Sequence, residues 1–169
     1  MIKYYLSKNA AILFVGINPH FGSYSRGVPF SNNKMFWYLL SKADLIKEPR
    51  EFLKDDTKLK QLYTTIPKRY KINFINIIDK PTKDVSELKK GEETEGVKRL
   101  IKIIEQKKPK LICFIGKVTF TKFKGINKVE FGLQDNIHSS KVYVMHFPVR
   151  GYAKIRVKEL KEVKRLAGL

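Results

Sequence analysis

The sequence predicts an α/β protein, specifically a three-layer α/β/α sandwich around a mostly parallel central sheet. Three segments are dominated by apolar residues, as expected for strands that are buried on both faces of a parallel sheet: 10–16, 72–78 and 110–115. These segments alternate with stretches whose apolar residues follow helical spacing. This alternation is typical of a sheet that carries helices on both faces.

The first half of the chain supplies the first strand and helix. The strand covers 10–16, and the segment 22–29 that follows is rich in glycine and serine, which predicts a loop. A helix begins near Lys34, where Asn32 or Asn33 can cap it.

The region 46–70 is charged and contains two prolines, so the sequence predicts exposed chain with one short helix near 58–64. After the second strand, apolar residues at i, i+3, i+4 and i+7 predict an amphipathic helix over 94–107. Pro109 ends this helix.

The last third of the chain supplies the remaining elements. A short helix through Phe123 follows the third strand. A weaker strand is predicted at 129–133, a strong one at 141–145, and a final basic helix at 155–167. No internal repeat or linker is apparent, so we expect one domain over 1–169.

Composition favours a polyanionic partner. Lys and Arg number 35 against 16 Asp and Glu, which gives the 169-residue chain a formal net charge of +19. Such a surplus attracts nucleic acid or an anionic membrane surface. No stretch approaches the ~20 apolar residues of a spanning helix, so we expect nucleic acid and no membrane. The alternative is a chain that is simply lysine-rich, as in proteins from hot-growing or AT-rich organisms.

Several kinds of chemistry are excluded by the residues. The single cysteine, Cys113, can form neither an internal disulfide nor a four-cysteine zinc or iron–sulfur site. The sequence also lacks a phosphate loop, a GxGxxG turn, a GxSxG elbow and an HExxH helix. We therefore expect no metal and no cofactor. The single cysteine also fits a reduced, cytoplasmic setting, and we expect a prokaryotic source.

Polar side chains follow the predicted strands at their carboxyl ends, where ligands bind in open parallel sheets. Asn18 follows the first strand, Asn76 lies in the second, Lys117 follows the third and His146 follows the last. Each has a simpler interpretation when taken alone: an Asn-Pro turn, a satisfied buried amide, a core histidine.

Motifs in consistent order over most of the chain resemble one family. The first is Gly16-Ile17-Asn18-Pro19, and the others are Phe36-Trp37, Asp79-Lys80-Pro81-Thr82 and the segment 95–117. They resemble the mismatch-specific uracil / thymine-DNA glycosylase family, within the uracil-DNA glycosylase superfamily. That family carries Gly-Ile-Asn-Pro-Gly and Asp-Arg-Pro-Thr at the matching positions.

The resemblance implies a monofunctional glycosylase that acts as a monomer on double-stranded DNA containing a mismatched or damaged base. In base excision repair it would flip out uracil, with thymine or other damaged pyrimidines as alternatives, and hydrolyse the N-glycosidic bond of that base. Asn18 would orient the attacking water. Ile17, Pro19, His20 and Phe21 would surround the base, with backbone amides near residues 19–21 as donors to it.

Three further residues match positions with roles in the family. Phe30 matches the aromatic residue that stacks on the flipped base, although a core phenylalanine is the alternative. Asn76 matches an asparagine that faces the base. Lys117 would contact a DNA phosphate beside a helix start.

The motif after the last strand departs from this family. His146 and Arg150 resemble instead the His-Pro-Ser-Pro-Arg loop of the single-strand-selective monofunctional uracil-DNA glycosylases. By that resemblance His146 is catalytic and stabilises the leaving base. Phe147, Val149, Arg150 or Tyr152 would fill the gap in the DNA helix.

His20 replaces a glycine of the family, so it narrows the pocket floor or adds a donor. An alternative function follows, a DNA-damage-binding module of the same fold with weakened catalysis. A nucleotide-processing enzyme of unrelated α/β type is a third hypothesis, against which the lack of a phosphate loop counts.

Overall fold

One five-stranded sheet organises the computed structural model, which describes residues 1–148 and 152–169. Its strands are β1 Ile12–Gly16, β2 Ile72–Asn76, β3 Leu111–Ile115, β4 Gly132–Ile137 and β5 Ser140–Met145. The strand order is β2-β1-β3-β5-β4. Every pair is parallel except β4 with β5, which is antiparallel at the edge of the sheet.

Seven α-helices occur in the described part of the chain. They are α1 Phe21–Arg26, α2 Met35–Lys42, α3 Arg50–Lys54, α4 Asp56–Tyr70, α5 Thr94–Lys107, α6 Lys117–Lys124 and α7 Ala153–Leu166. One turn of 3-10 helix, Val85–Glu87, follows β2. None of the helices in the described residues is both long and apolar enough to cross a membrane.

Alternate residues of each strand face two separate apolar cores. Ile12 and Phe14 of β1 pack into the core that contains α2, α4 and α7, whereas Leu13 and Val15 pack into the core that contains α5 and α6. All four side chains are buried, as strands in the middle layer of a sandwich must be. The predicted three-layer α/β/α arrangement around a mostly parallel sheet is confirmed.

The predicted loop over 22–29 is wrong in its first part, because α1 occupies Phe21–Arg26. The imidazole of His20 caps this helix, and Gly27 ends it with a φ of 71°. Of the glycines and serines in this segment, only Gly27 is a helix cap, while Gly22, Ser23 and Ser25 lie within α1.

The prediction for 46–70 is right in placing a helix near 58–64 but wrong in its extent, since α3 and α4 fill most of this region. Helix α4 buries Leu59, Leu62, Tyr63 and Ile66, which stand at i, i+3, i+4 and i+7. The charged residues between them hid this apolar stripe, and Pro67 is tolerated inside the last turn of α4.

The other boundaries agree with the sequence to within a few residues. Helix α5 has the predicted bounds, and α2 begins at Met35, whose amide donates to Asn33 Oδ1 at 3.0 Å. The weak strand predicted at 129–133 lies further along, at Gly132–Ile137, and its residues are partly to fully exposed because it is the sheet edge.

Candidate functional site

A cavity of about 600 Å³ opens at the carboxyl ends of the central strands. Residues 16–20 after β1, Asn76 at the end of β2, residues 115–119 after β3 and Phe147 after β5 contribute to its walls. In the sheet β2 lies on one side of β1 and β3 lies on the other, so the direction in which strands are added reverses at β1. The cavity lies beside this topological switch point. Ligands of open α/β sheets bind at such points.

The side-chain amide of Asn18 is held in one orientation. Its Nδ2 donates to the backbone carbonyl of Lys80 at 2.9 Å and to the hydroxyl of Thr82 at 2.8 Å. A carbonyl oxygen only accepts, so the amide atom that faces Lys80 must be the nitrogen. Asn18 Oδ1 has no donor within residues 1–148 and 152–169, and it remains an acceptor for a ligand in the cavity.

Thr82 is a site residue to which sequence reasoning gave no role. It is only 4% exposed, and its amide donates to the carbonyl of Pro19 at 3.1 Å, which ties its segment to the chain after β1. The motif at residues 79–82 was the available signal, but nothing local to it indicates a contact with Asn18.

The floor of the cavity depends on Gly16. A Cβ atom at Gly16 would lie 2.4 Å from Phe30 Cε1 and 2.5 Å from Asn76 Oδ1, closer than real Cβ atoms come to such neighbours. Glycine therefore leaves room for both the Phe30 ring and the Asn76 amide at the end of β1.

Phe30 belongs both to the core and to the cavity wall. Its ring packs edge-on against Phe36 and Phe74, with centroids 5.3 and 5.8 Å away, and it also lines the cavity. Its φ of 57° is unusual for a residue with a side chain. Packing in the core and stacking on a flipped base are therefore compatible roles for Phe30.

Asn76 presents an unsatisfied oxygen at this floor. The residue is fully buried, its Nδ2 donates to the hydroxyl of Tyr4 at 3.1 Å, and its Oδ1 has no partner among the described residues. Such an unpaired buried atom costs on the order of 1–3 kcal/mol, which a ligand donor would recover. Burial also raises the pKa of Tyr4 to about 12, so its hydroxyl stays neutral at physiological pH.

His20 lines the cavity and has a structural task. Its Nδ1 accepts a hydrogen bond from the amide of Gly22 at 3.2 Å, so the neutral imidazole carries its proton on Nε2. The side chain of His20 is thereby oriented by helix α1.

The imidazole of His146 does not line the cavity. Its Nδ1 lies 3.0 Å from Glu159 Oε1, and its amide donates to the same carboxylate. The ring stacks on Phe131 with centroids 3.5 Å apart, and Phe131 is the residue that lines the cavity. His146 thus lies behind Phe131 and outside the cavity lining.

Lys117 begins helix α6 at the cavity mouth. Its Nζ lies 4.4 Å from the centroid of Phe131 and 3.9 Å from Glu130 Oε2, at the positive end of the helix dipole. An anion at the mouth would meet both this ammonium group and the amides of the first helical turn.

The remaining predicted residues divide between the cavity wall and the protein surface. Ile17 and Pro19 are buried and line the cavity beside Asn18, and Phe147 lines it while staying half exposed. Phe21 and Tyr152 are exposed and are not part of the cavity lining. Val149 and Arg150 lie outside the described residues.

The site offers neither a nucleophilic thiol nor a metal cluster. Cys113 is buried in β3, and burial raises the pKa of its thiol well above the usual range. Within residues 1–148 and 152–169, no three His, Cys, Asp or Glu side chains are grouped so that they can hold a metal ion.

The fold and the cavity define a class of protein: a three-layer α/β protein with amide oxygens at its ligand crevice and a large positive charge. Comparison with known families gives the family itself. Residues 3–160 match the model described as the uracil DNA glycosylase superfamily, and the chain belongs to this superfamily. Membership implies DNA as the substrate and the N-glycosidic bond as the bond that is hydrolysed. The superfamily expected from the motifs is confirmed.

Proposed function

We propose that this protein is a monofunctional glycosylase that excises uracil, and thymine as a second substrate, from mismatches with guanine in double-stranded DNA. The observation that carries the proposal is the Asn18 amide, whose nitrogen is bound by Lys80 and Thr82 while its oxygen remains an acceptor in the cavity. Membership in the uracil DNA glycosylase superfamily supports the same reaction.

The chemistry suits an asparagine. Uracil departs as an anion, so the bond breaks towards an oxocarbenium-like sugar and water then adds at C1′. Asn18 Oδ1 accepts a hydrogen bond from this water and holds an oxygen lone pair towards C1′. An amide is a poor general base, so the water loses its proton only after it has attacked, and a slow reaction is expected.

The cavity floor would read the base. Asn76 Oδ1 is an acceptor that fits the N3–H of uracil or thymine, and the ring of Phe30 would stack on the base. Because Oδ1 is buried beside Gly16, with the Phe30 ring close to the same point, neighbouring side chains must shift as the base enters. Stacking on an aromatic side chain is worth about 1–3 kcal/mol per base.

Positive charge and the cavity rim would hold the DNA. The net charge of +19 gives backbone affinity that weakens steeply with salt. Lys117 at the mouth suits a phosphate, and Phe147, half exposed beside it, suits the gap left by the flipped nucleotide. We further propose a monomer that works in the cytoplasm on the nucleoid.

His146 enters the proposal in a secondary role. Its pairing with Glu159 and its stacking on Phe131 hold the ring beside the cavity. The imidazole would stabilise the leaving base only in a complex in which Phe131 has moved aside.

The test uses a labelled duplex with one U:G pair, treated with hot alkali after incubation to cleave abasic sites. Excision of uracil supports the proposal, and Asn18→Ala should lose most turnover while it keeps its affinity for DNA. Asn127→Ala, at an exposed position away from the cavity, is the matched control. No cleavage of U:G, T:G, U:A or single-stranded uracil, together with tight mismatch binding, would favour the damage-binding alternative.

A further inference from the structure

We infer that Tyr4 is a positioning residue, which anchors the Asn76 amide in the orientation that Gly16 selects and thereby supports the hydrogen-bonding pattern of the base that the cavity accepts. This inference rests on the proposed function, because it assigns the cavity floor to a flipped base. Tyr4 stands 72 positions from Asn76 in the sequence, near the start of the chain.

The contact is direct and buried. Asn76 is fully buried at the end of β2, and its Nδ2 donates to the Tyr4 hydroxyl at 3.1 Å. Within the described residues this leaves Oδ1 without a partner, on the side of the amide that faces Gly16. The polar atom presented at the floor is therefore an acceptor.

A tyrosine hydroxyl both donates and accepts, so Tyr4 alone permits either orientation of the amide. Gly16 selects one of them. A Cβ atom on Gly16 would lie 2.5 Å from Asn76 Oδ1. In glycine an α-hydrogen takes this direction, so a carbon-bound hydrogen of Gly16 faces the Asn76 oxygen. A carbon-bound hydrogen is a suitable neighbour for an oxygen and an unsuitable one for an NH₂ group. Tyr4 and Gly16 together hold the nitrogen away from the cavity.

The orientation decides which pyrimidine fits. Uracil and thymine carry a hydrogen on N3, which an acceptor at the floor can bind. Cytosine has a lone pair at N3, which would face the lone pairs of Oδ1 across a buried contact. A site built around one hydrogen bond rejects a ligand that leaves its polar group unpaired. Without the Tyr4 hydroxyl the amide loses the partner that anchors it in the orientation selected by Gly16. The amide is then free to move, and this discrimination weakens.

The experiment is a double-mutant cycle read by equilibrium binding. The probes are two duplexes with 2′-fluoro-2′-deoxyuridine or 2′-fluoro-2′-deoxycytidine opposite guanine, since the fluorine slows bond cleavage. The proteins are the wild type, Tyr4→Phe, Asn76→Ala and the double variant. Tyr63→Phe is the matched control, because the Tyr63 hydroxyl also anchors the start of the chain, through the carbonyl of Lys3, without contacting Asn76.

We expect the wild type to prefer the uracil duplex, and Tyr4→Phe to reduce this preference about 2-fold to 12-fold, the factor of one hydrogen bond. In the Asn76→Ala background the same substitution should change nothing. Tyr63→Phe should keep the wild-type preference.

Four results would overturn the inference: a wild type without preference, an unchanged preference in Tyr4→Phe, an equal loss in Tyr63→Phe, or a loss that persists without Asn76. The proposed function fails separately. A wild type that prefers uracil in binding but never cleaves deoxyuridine would refute the glycosylase proposal and leave the role of Tyr4 intact.

Discussion

Thr82 provides the sharpest test of how Asn18 is oriented. Thr82→Val keeps nearly the same volume and removes the hydroxyl that accepts from Asn18 Nδ2 at 2.8 Å. The carbonyl of Lys80, at 2.9 Å from the same nitrogen, still specifies which way the amide points. The variant therefore tests how precisely the Asn18 amide must be placed, because the nitrogen and oxygen of the amide keep their orientation.

The magnitude follows from one lost hydrogen bond. A net contribution of about 0.5–1.5 kcal/mol corresponds to a reduction of the excision rate of about 2-fold to 12-fold. The effect should be smaller than that of Asn18→Ala, which removes the water-binding oxygen itself. The backbone bond from Thr82 to Pro19, at 3.1 Å, does not depend on the side chain, so the local fold should persist.

The assay is the single-turnover rate of uracil excision from a U:G duplex, alongside the affinity for a duplex with a stable abasic site. Thr82→Ser, which keeps a hydroxyl, should remain near the wild type. A wild-type rate in Thr82→Val, or an equal loss in Thr82→Ser, would refute the orienting role. Weaker abasic-site binding in Thr82→Val would point instead to a general distortion.

Three further predictions concern the cavity floor, the mouth and the buried tyrosine. Gly16→Ala should abolish most uracil excision, because its Cβ would lie 2.4 Å from Phe30 Cε1, and should lower the free energy of unfolding in urea by about 1–3 kcal/mol. An active, equally stable variant would contradict this. Lys117→Ala should weaken binding to matched and mismatched DNA alike and reduce the slope of log K against log salt by about 1; an unchanged slope would exclude a phosphate contact. The pKa of Tyr4, raised by burial to about 12 from 10.0 in the unfolded chain, gives stability that is complete below pH 10 and lost as the pH rises towards 12. Urea unfolding at pH 9 and pH 11.5 should show a smaller loss in Tyr4→Phe, and an equal loss would contradict the shift.

The fold class and the first candidates for the site could be derived from the sequence. Strands β1, β2 and β3 are buried on both faces, so their apolar runs stand out, and the general position of ligands at strand ends then indicates Asn18 and Asn76. Helix α4 was predicted only in part, as a short helix near 58–64, although its apolar spacing is regular. Its mean composition is polar, and a helix that buries only one stripe is easily taken for exposed chain.

Tertiary structure alone decided the environment of those candidates. The partners of Asn18 lie 62 and 64 positions away, and the partner of Asn76 lies 72 positions away. The sequence predicts His146 at the crevice. In the structure Phe131, which directly precedes the edge strand β4, stacks on the His146 ring, and Phe131 rather than His146 lines the cavity. The sequence by itself determined which side chains stand at the strand ends, because strand position is a local property. Which of their atoms remain open to a ligand depends on hydrogen bonds between distant segments, and only the packed chain specifies these.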